Sequence, residues 1–459
     1  MNNIYFFFLL LLLLWSAPGL SQKGTEFWFV APEVTSGYAD RPIYLRISSY
    51  GQPASVIISQ PANSAFAPIT VSLLSYQTQT VNLTANIASI ENAPANTVLN
   101  YGLLIESTSD ISAYYEVEST GNNPDIFTLK AHNAIGLKFV IPAQSFWGNS
   151  SAYVPTAFSA FDIVATSDGT TVTITPSNNI VGHTANVAFT VSLNKGQTYS
   201  ARATSRQAAL HLAGSVVNSN KPIAITISDD AVTKASYGSC EDLLGDQLVP
   251  LTVIGDEYIV SKGYLAKNPG PSLADKVYIT AAHNGTDVYL NGSGAPAASL
   301  NKGDTYEVSL TANDLHILAT QNVYVLHVTG VGCEAAMAVV PRIVCSGSSE
   351  ISFVRSSSQD FYLLLFVPAG GQGSFEINGN KHMVSSSSFK SVMSSFGQWK
   401  VARLKFSNTD IVTGNPYTIT NTNKLFHAAI INGNSGFGCV YGFFSDFDIV
   451  RTDPIFHFK

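Results

Sequence analysis

Asp168-Gly169-Thr170-Thr171-Val172-Thr173-Ile174 is echoed 116 residues later by Asn284-Gly285-Thr286-Asp287-Val288-Tyr289-Leu290. Each copy opens on a dipeptide that tolerates the left-handed backbone and suits a two-residue hairpin. Each then runs on as a β-branched stretch that fits a pleated strand. Outward from this pair the match continues in order. Leu193-Asn194-Lys195-Gly196-Gln197-Thr198-Tyr199 answers to Leu300-Asn301-Lys302-Gly303-Asp304-Thr305-Tyr306, and Lys221 to Thr226 answers to Asn322 to His327. Cys240-Glu241 running to Val249-Pro250 then matches Cys333-Glu334 running to Val340-Pro341. Four blocks in one order indicate a duplicated unit.

Fainter copies flank the pair. Val56-Ile57-Ile58, Val71-Ser72-Leu73 and Ile111 to Tyr115 form an N-terminal version, and Phe375-Glu376-Ile377, Val401 to Leu404 and Leu425 to Ile430 a C-terminal one. The leading strands begin near residues 56, 172, 288 and 375, too far apart for propeller blades, which repeat at about 40–50 residues. The reading is an all-β chain of tandem β-sandwich-like repeats of about 100 residues. Its expected boundaries are a signal peptide at 1–21, then β units at 22–135, 136–250, 251–345 and 346–459. Glu241 to Leu248 and Glu334 to Val340 read as the only short helical turns.

Composition narrows the function. Charged residues make up 12% and hydrophobic types 46%, with 26 Phe and 20 Tyr to fill cores, so the chain is not disordered. A net charge of −7 leaves no basic footprint for nucleic acid. Leu9 to Leu14 sit in an apolar run ending at Trp15, too short to span a bilayer, with Gly19 and Ser21 at signal-peptidase spacing. The expected mature chain starts near Gln22 and is secreted, extracellular or at the cell surface, with periplasmic retention as the alternative. It carries no transmembrane segment after cleavage. Four cysteines fit an oxidising compartment. Nearness in sequence suggests Cys333 with Cys345, leaving Cys240 with Cys439.

Candidate chemistry is sparse. Asp229, Asp230, Glu241, Asp242 and Asp246 form the densest acidic group, and hard oxygen ligands beside strands are what calcium needs. Calcium is the one cofactor considered, against carboxylates that merely serve a connector. Gly330-Val331-Gly332-Cys333 imitates a dinucleotide fingerprint but lacks the βαβ context, and reads as a turn holding a disulfide. No serine elbow or metalloprotease motif appears. His327 and His427 sit inside strand patterns and read as bonded interior residues, and Phe27-Trp28-Phe29 reads as a buried first strand. No catalytic residue is assigned, and no binding residue can be named.

With these blocks laid out, the chain resembles the IgGFc-binding protein N-terminal domain family, in particular its exported Bacteroidota-type members. The likeness rests on Gly24 to Phe29, Phe161 to Thr166, Cys240 to Pro250 with Gly255 to Ile259, Gly332-Cys333 through Cys345 to Ser348, and Tyr441 to Phe447. It implies a cell-surface or secreted binding and adhesion module without known catalytic residues. The expectation is a non-enzymatic protein recognising a glycoprotein, glycan or matrix partner, with mucin and immunoglobulin among the candidates. A structural spacer or assembly subunit of an extracellular layer is the alternative, and a carbohydrate-active hydrolase using distant carboxylates the remote one.

Overall fold

A computed structural model describes residues 22–118, 123–238, 240–267, 270–393, 395 and 398–448. The expected signal peptide at 1–21 lies outside the described residues. Strands dominate, and the helical pieces among the described residues are 3-10 turns no longer than Thr84–Ser89, so the fold is all-β. No helix of the described residues is long and apolar enough to cross a membrane.

One pairing scheme is used three times. The first sheet has the spatial order Ile69–Leu73, Ala54–Ser59, Leu103–Val117, Ile43–Ser49, Thr78–Asn82. In the second the order is Phe189–Leu193, Thr170–Thr175, Val216–Thr233, Ser159–Ala165, Thr198–Arg202. The third repeats it with Ala298–Leu300, Thr286–Leu290, Asp314–Gly332, Asp275–Ala281, Thr305–Leu310. An opening strand (Gly24–Phe29, Gly136–Val140, Gly255–Ser261) and a closing strand (Asp125–Thr128, Glu241–Gln247, Glu334–Val339) also pair with each long central strand. Farther on, the long strand is cut into Pro416–Asn421 and His427–Gly433, and the sheet falls into a three-stranded and a five-stranded piece. There the closing strand is Cys439–Phe443.

The long strand turns one sheet into two layers. Val216 to Ser219 pair with Thr170–Thr175, whereas Ile223 to Asp229 pair with Ser159–Ala165. Between the halves lies a polar corner, Ser219-Asn220-Lys221-Pro222, matched by Ser107 to Asp110 and Thr320-Gln321-Asn322. Polar residues suit a corner because its backbone leaves the ladder and meets water. Asp168-Gly169 and Asn284-Gly285 therefore do not close two-residue hairpins. Each carries the chain from one layer to the other, since the strands on either side pair with different halves of the long strand. Asn378-Gly379 does make such a turn, bridged by Ile377 and Asn380.

One expectation changes here. The stretches read as helical turns are the closing strands Glu241–Gln247 and Glu334–Val339. Both faces of these strands are buried, so they lack the alternation that marks a half-exposed strand. The first two sheets also interlock, because Val98–Leu99 pairs with Thr198–Arg202 of the second.

The four closing strands meet at the centre. Asp125–Thr128 packs on Glu241–Gln247, that strand on Glu334–Val339, that on Cys439–Phe443, and the last back on the first. The ring joins neighbouring cores: Leu243 lies in the core of the first sheet, and Tyr114 and Ile126 lie in the core of the fourth pair of sheets. Gly245 permits the approach, because a Cβ there would collide with the Phe127 ring. We expect Gly245→Ala to lower stability by about 1–3 kcal/mol in urea unfolding through overpacking. Gly294→Ala, which meets open space, should stay within about 0.5 kcal/mol of the parent.

Candidate functional site

The five acidic residues singled out from sequence serve separate partners. Asp229 and Asp230 lie where the register of the long strand shifts, and point to different neighbours. Asp229 accepts from Asn149 Nδ2 at 2.7 Å and sits 2.9 Å from His211 Nδ1, with Gln144 also bonded to it. Asp230 accepts from Thr35 N at 2.7 Å and Asn123 Nδ2 at 3.4 Å. Glu241 takes the Tyr153 hydroxyl. Asp246 accepts from Lys130 Nζ at 2.6 Å, Thr128 Oγ1 at 3.1 Å and Gln247 N at 2.8 Å, and from Val339 N at 3.0 Å. The structure does not bring the five together as a calcium shell: four take protein donors on separate elements, and Asp242 pairs with Glu334. Among the described residues the one group with metal-ligand closeness is Cys240, Cys333 and Glu334, whose sulphurs are joined to each other.

That bond corrects the predicted pairing. Cys240 is bridged to Cys333 with a Cα separation of 5.8 Å, while Cys345 is exposed and Cys439 buried, both as free thiols. Cys240 and Cys333 each stand just before a closing strand, and neighbouring closing strands lie side by side, so equivalent positions of adjacent sheets meet. Partners follow the ring rather than the chain. In the chain-entropy picture, closing a loop of 93 residues constrains the unfolded state by about 4–5 kcal/mol.

Around the same axis lie Asp125, Asp242 and Glu334, one from each of the first three closing strands, beside Cys439 of the fourth. Burial drives the Asp125 and Asp242 carboxyls well above their ordinary range and raises Glu334 too, and Asp242 and Glu334 share a hydrogen bond. Burial raises the Cys439 thiol too, helped by these three acids. Asp125 accepts from Ile126 N at 2.8 Å and from Gly245 N of the second sheet at 2.9 Å. The arrangement holds protons and strands rather than a reacting group.

The histidines and aromatics behave likewise. His327 Nδ1 lies 2.9 Å from the Tyr441 hydroxyl and Nε2 lies 3.1 Å from Asp275 Oδ2, all buried. His427 sits between Ser445 Oγ at 2.8 Å and Ser346 Oγ at 3.2 Å, and burial pushes it down to about 3. Phe27, Trp28 and Phe29 are buried strand residues, as the sequence suggests.

What faces solvent is a cleft of about 420 Å³ between the first sheet and the fourth pair. Tyr44 and Pro42 line one wall, and Phe437 and Asn432 the other. Phe437 leaves 61% of its surface exposed on the turn before the last strand. Glu116 is buried against Arg46, and Glu118 lies 3.5 Å from the same guanidinium, so Glu118 is the acceptor left toward the cleft. Sequence reasoning missed this site, whose walls come from opposite ends of the chain. The available signal was an aromatic in the glycine-rich turn Asn434 to Gly438, where a buried role is sterically awkward.

Two measurements check this account. Non-reducing peptide mapping should join Cys240 to Cys333, with native alkylation confined to Cys345. A pH series should show a decline in stability between about 4 and 7. Asp162, next to Asn92, and Asp230 are both raised by burial to about 7, whereas unfolded Asp ionises near 4. In that window the fold keeps protons the unfolded chain has released, so stability falls as pH rises and levels off for these groups above 7. Asp162→Asn should shrink the drop in melting temperature.

The comparisons follow the same line. The family described as IgGFc binding protein matches residues 126–434, well over half of the chain. No curated protein matches it. Among solved structures it is similar to the pilus adhesin SpaC from Lactobacillus rhamnosus GG, at 11% identity over 91% of this chain and 54% of that one. The TM-score is 0.13, so the likeness carries no argument, and the chain spans about half of that adhesin's length. With the third sheet, and all of the second except Val98–Leu99, lying inside the matched segment, the chain belongs to the IgGFc-binding protein family.

Proposed function

We propose that this is an exported, non-enzymatic binding protein that recognises a protein or glycoprotein partner, with immunoglobulin Fc and mucin as the first candidates. The observation that carries the reading is the seam cleft, where the exposed Phe437, Tyr44 and the Glu118 carboxylate present apolar surface with an acidic acceptor. Aromatic anchors of this kind carry much of the energy at protein interfaces. The family description supports binding as the class of activity. The bridge between Cys240 and Cys333 fits an oxidising compartment. The recurring pairing scheme supports four copies of one unit, held by a buried axis as a rigid platform for the surface seams.

The test is surface-plasmon binding of residues 22–459 to immunoglobulin Fc, intact immunoglobulin and purified mucin, with serum albumin as control. The proposal expects saturable binding to one class. Phe437→Ala should weaken it by at least about tenfold, as an interface anchor does. Concentration-dependent self-association without any binding would favour the spacer reading instead.

A further inference from the structure

The three matched turns that precede the fifth strand of each sheet are equivalent residue by residue. They read Leu73-Leu74-Ser75-Tyr76-Gln77-Thr78, Leu193-Asn194-Lys195-Gly196-Gln197-Thr198 and Leu300-Asn301-Lys302-Gly303-Asp304-Thr305. The leading leucines face the first residue of a neighbouring strand in each sheet, namely Ala54, Thr170 and Thr286. The same turn bond recurs: Leu74 N to Gln77 Oε1 at 2.7 Å, Asn194 N to Gln197 Oε1 at 2.9 Å, and Asn301 N to Asp304 Oδ2 at 2.9 Å.

The fourth residue of the turn is left-handed in all three, with φ of 55° at Tyr76, 79° at Gly196 and 91° at Gly303. Glycine takes that conformation freely, whereas an aromatic residue there is strained. The glycines have a packing reason too. Gly196 is pressed against Pro61 and Ala62 of the first sheet, and its carbonyl accepts from Gly102 N at 3.1 Å. Gly303 is pressed against Gly214 of the second sheet. Each turn thus seals the seam with the preceding sheet by backbone contact.

At the seam between the first sheet and the fourth pair the turn of the first sheet lies beside the three-stranded sheet, and there Tyr76 replaces glycine. It is 53% exposed, and beside it runs a groove of about 460 Å³. The floor is the outer face of the three-stranded sheet. Glu350, Thr420 and Glu376 form one rung across its three strands, since Thr420 pairs with both glutamates. Strand spacing puts the two glutamate Cα atoms about 9–10 Å apart. Thr418 lies on the next rung, opposite Ser352, and its N–H donates to Asn378 Oδ1 at 2.8 Å. Glu350 is held by Lys23 at 2.7 Å.

We propose that this groove binds a neutral saccharide. The Tyr76 ring offers a flat apolar face that a pyranose can stack on, strained outward where the fold would otherwise use glycine. The carboxylates accept from sugar hydroxyls, and the threonine hydroxyls both donate and accept. Glu376 in turn lies 3.4 Å from Lys381 Nζ, so each floor carboxylate is paired and the groove offers no excess positive charge to attract a sialylated or sulfated glycan. The site is separate from the Phe437 cleft and needs no protein partner.

The experiment is calorimetric titration of residues 22–459 with cellotetraose, chitotetraose and N-acetyllactosamine, and with 6′-sialyl-N-acetyllactosamine as the anionic counterpart. At least one neutral oligosaccharide should bind with a Kd of about 1 mM or tighter. Tyr76→Gly installs the residue that the other two turns use, so its melting temperature should not fall, while saccharide binding should weaken at least about tenfold. Phe437→Ala should leave saccharide binding unchanged, which separates this site from the protein cleft. The proposal is overturned if no neutral saccharide binds at about 5 mM, if Tyr76→Gly binds like the parent, or if the sialylated form binds more tightly.

Discussion

A buried carboxylate must find donors or keep its proton, and at the centre of this molecule that constraint links sheets that are far apart in sequence. Asp246 belongs to the second sheet, yet it is satisfied by Lys130 and Thr128 beside the first and by Val339 N of the third. Asp125 of the first sheet is satisfied by Gly245 N of the second, and Asp242 of the second by Glu334 of the third. Removing one sheet would leave a buried polar group without its partner or, at Lys130 and Asp246, an uncompensated charge, which is far costlier than a lost surface pair. The closing strands are therefore the point at which the three sheets and the fourth pair become one body.

This division of labour explains where function can reside. The interior holds many acids, several histidines and the Cys439 thiol, and the ones described above are enclosed and tie strands together. His327 with Asp275 and Tyr441 has the atoms of a catalytic relay and no exposed edge at which a substrate could meet it. The seams are different. Two of them are sealed by glycine turns, while the seam between the first sheet and the fourth pair carries both the Phe437 cleft and the Tyr76 groove.

Much of the fold is legible in the sequence because duplication doubles every signal. The blocks beginning at Asp168 and Asn284 do occupy equivalent strands of two sheets. What escapes is anything decided by the third dimension. The closing strands read as helical because burial on both faces erases their alternation. The bridge from Cys240 to Cys333 escapes although the alignment places both cysteines at one equivalent position, since sequence nearness favoured Cys345 and only the ring brings equivalent positions together. Tyr76 escapes as well, because its turn is matched to the other two only through the shared strand pairing and the recurring turn bond.

The central claim is that four closing strands form one cooperative axis. Native-state hydrogen exchange tests it most directly, because it reads the opening free energy of each segment. Amides of Asp125–Thr128, Glu241–Gln247, Glu334–Val339 and Cys439–Phe443 should exchange slowest and share one opening free energy, equal to that of global unfolding. If Cys439–Phe443 instead exchanged through a separate, much cheaper opening of the fourth pair of sheets, the axis would not be a single unit and the account would fail.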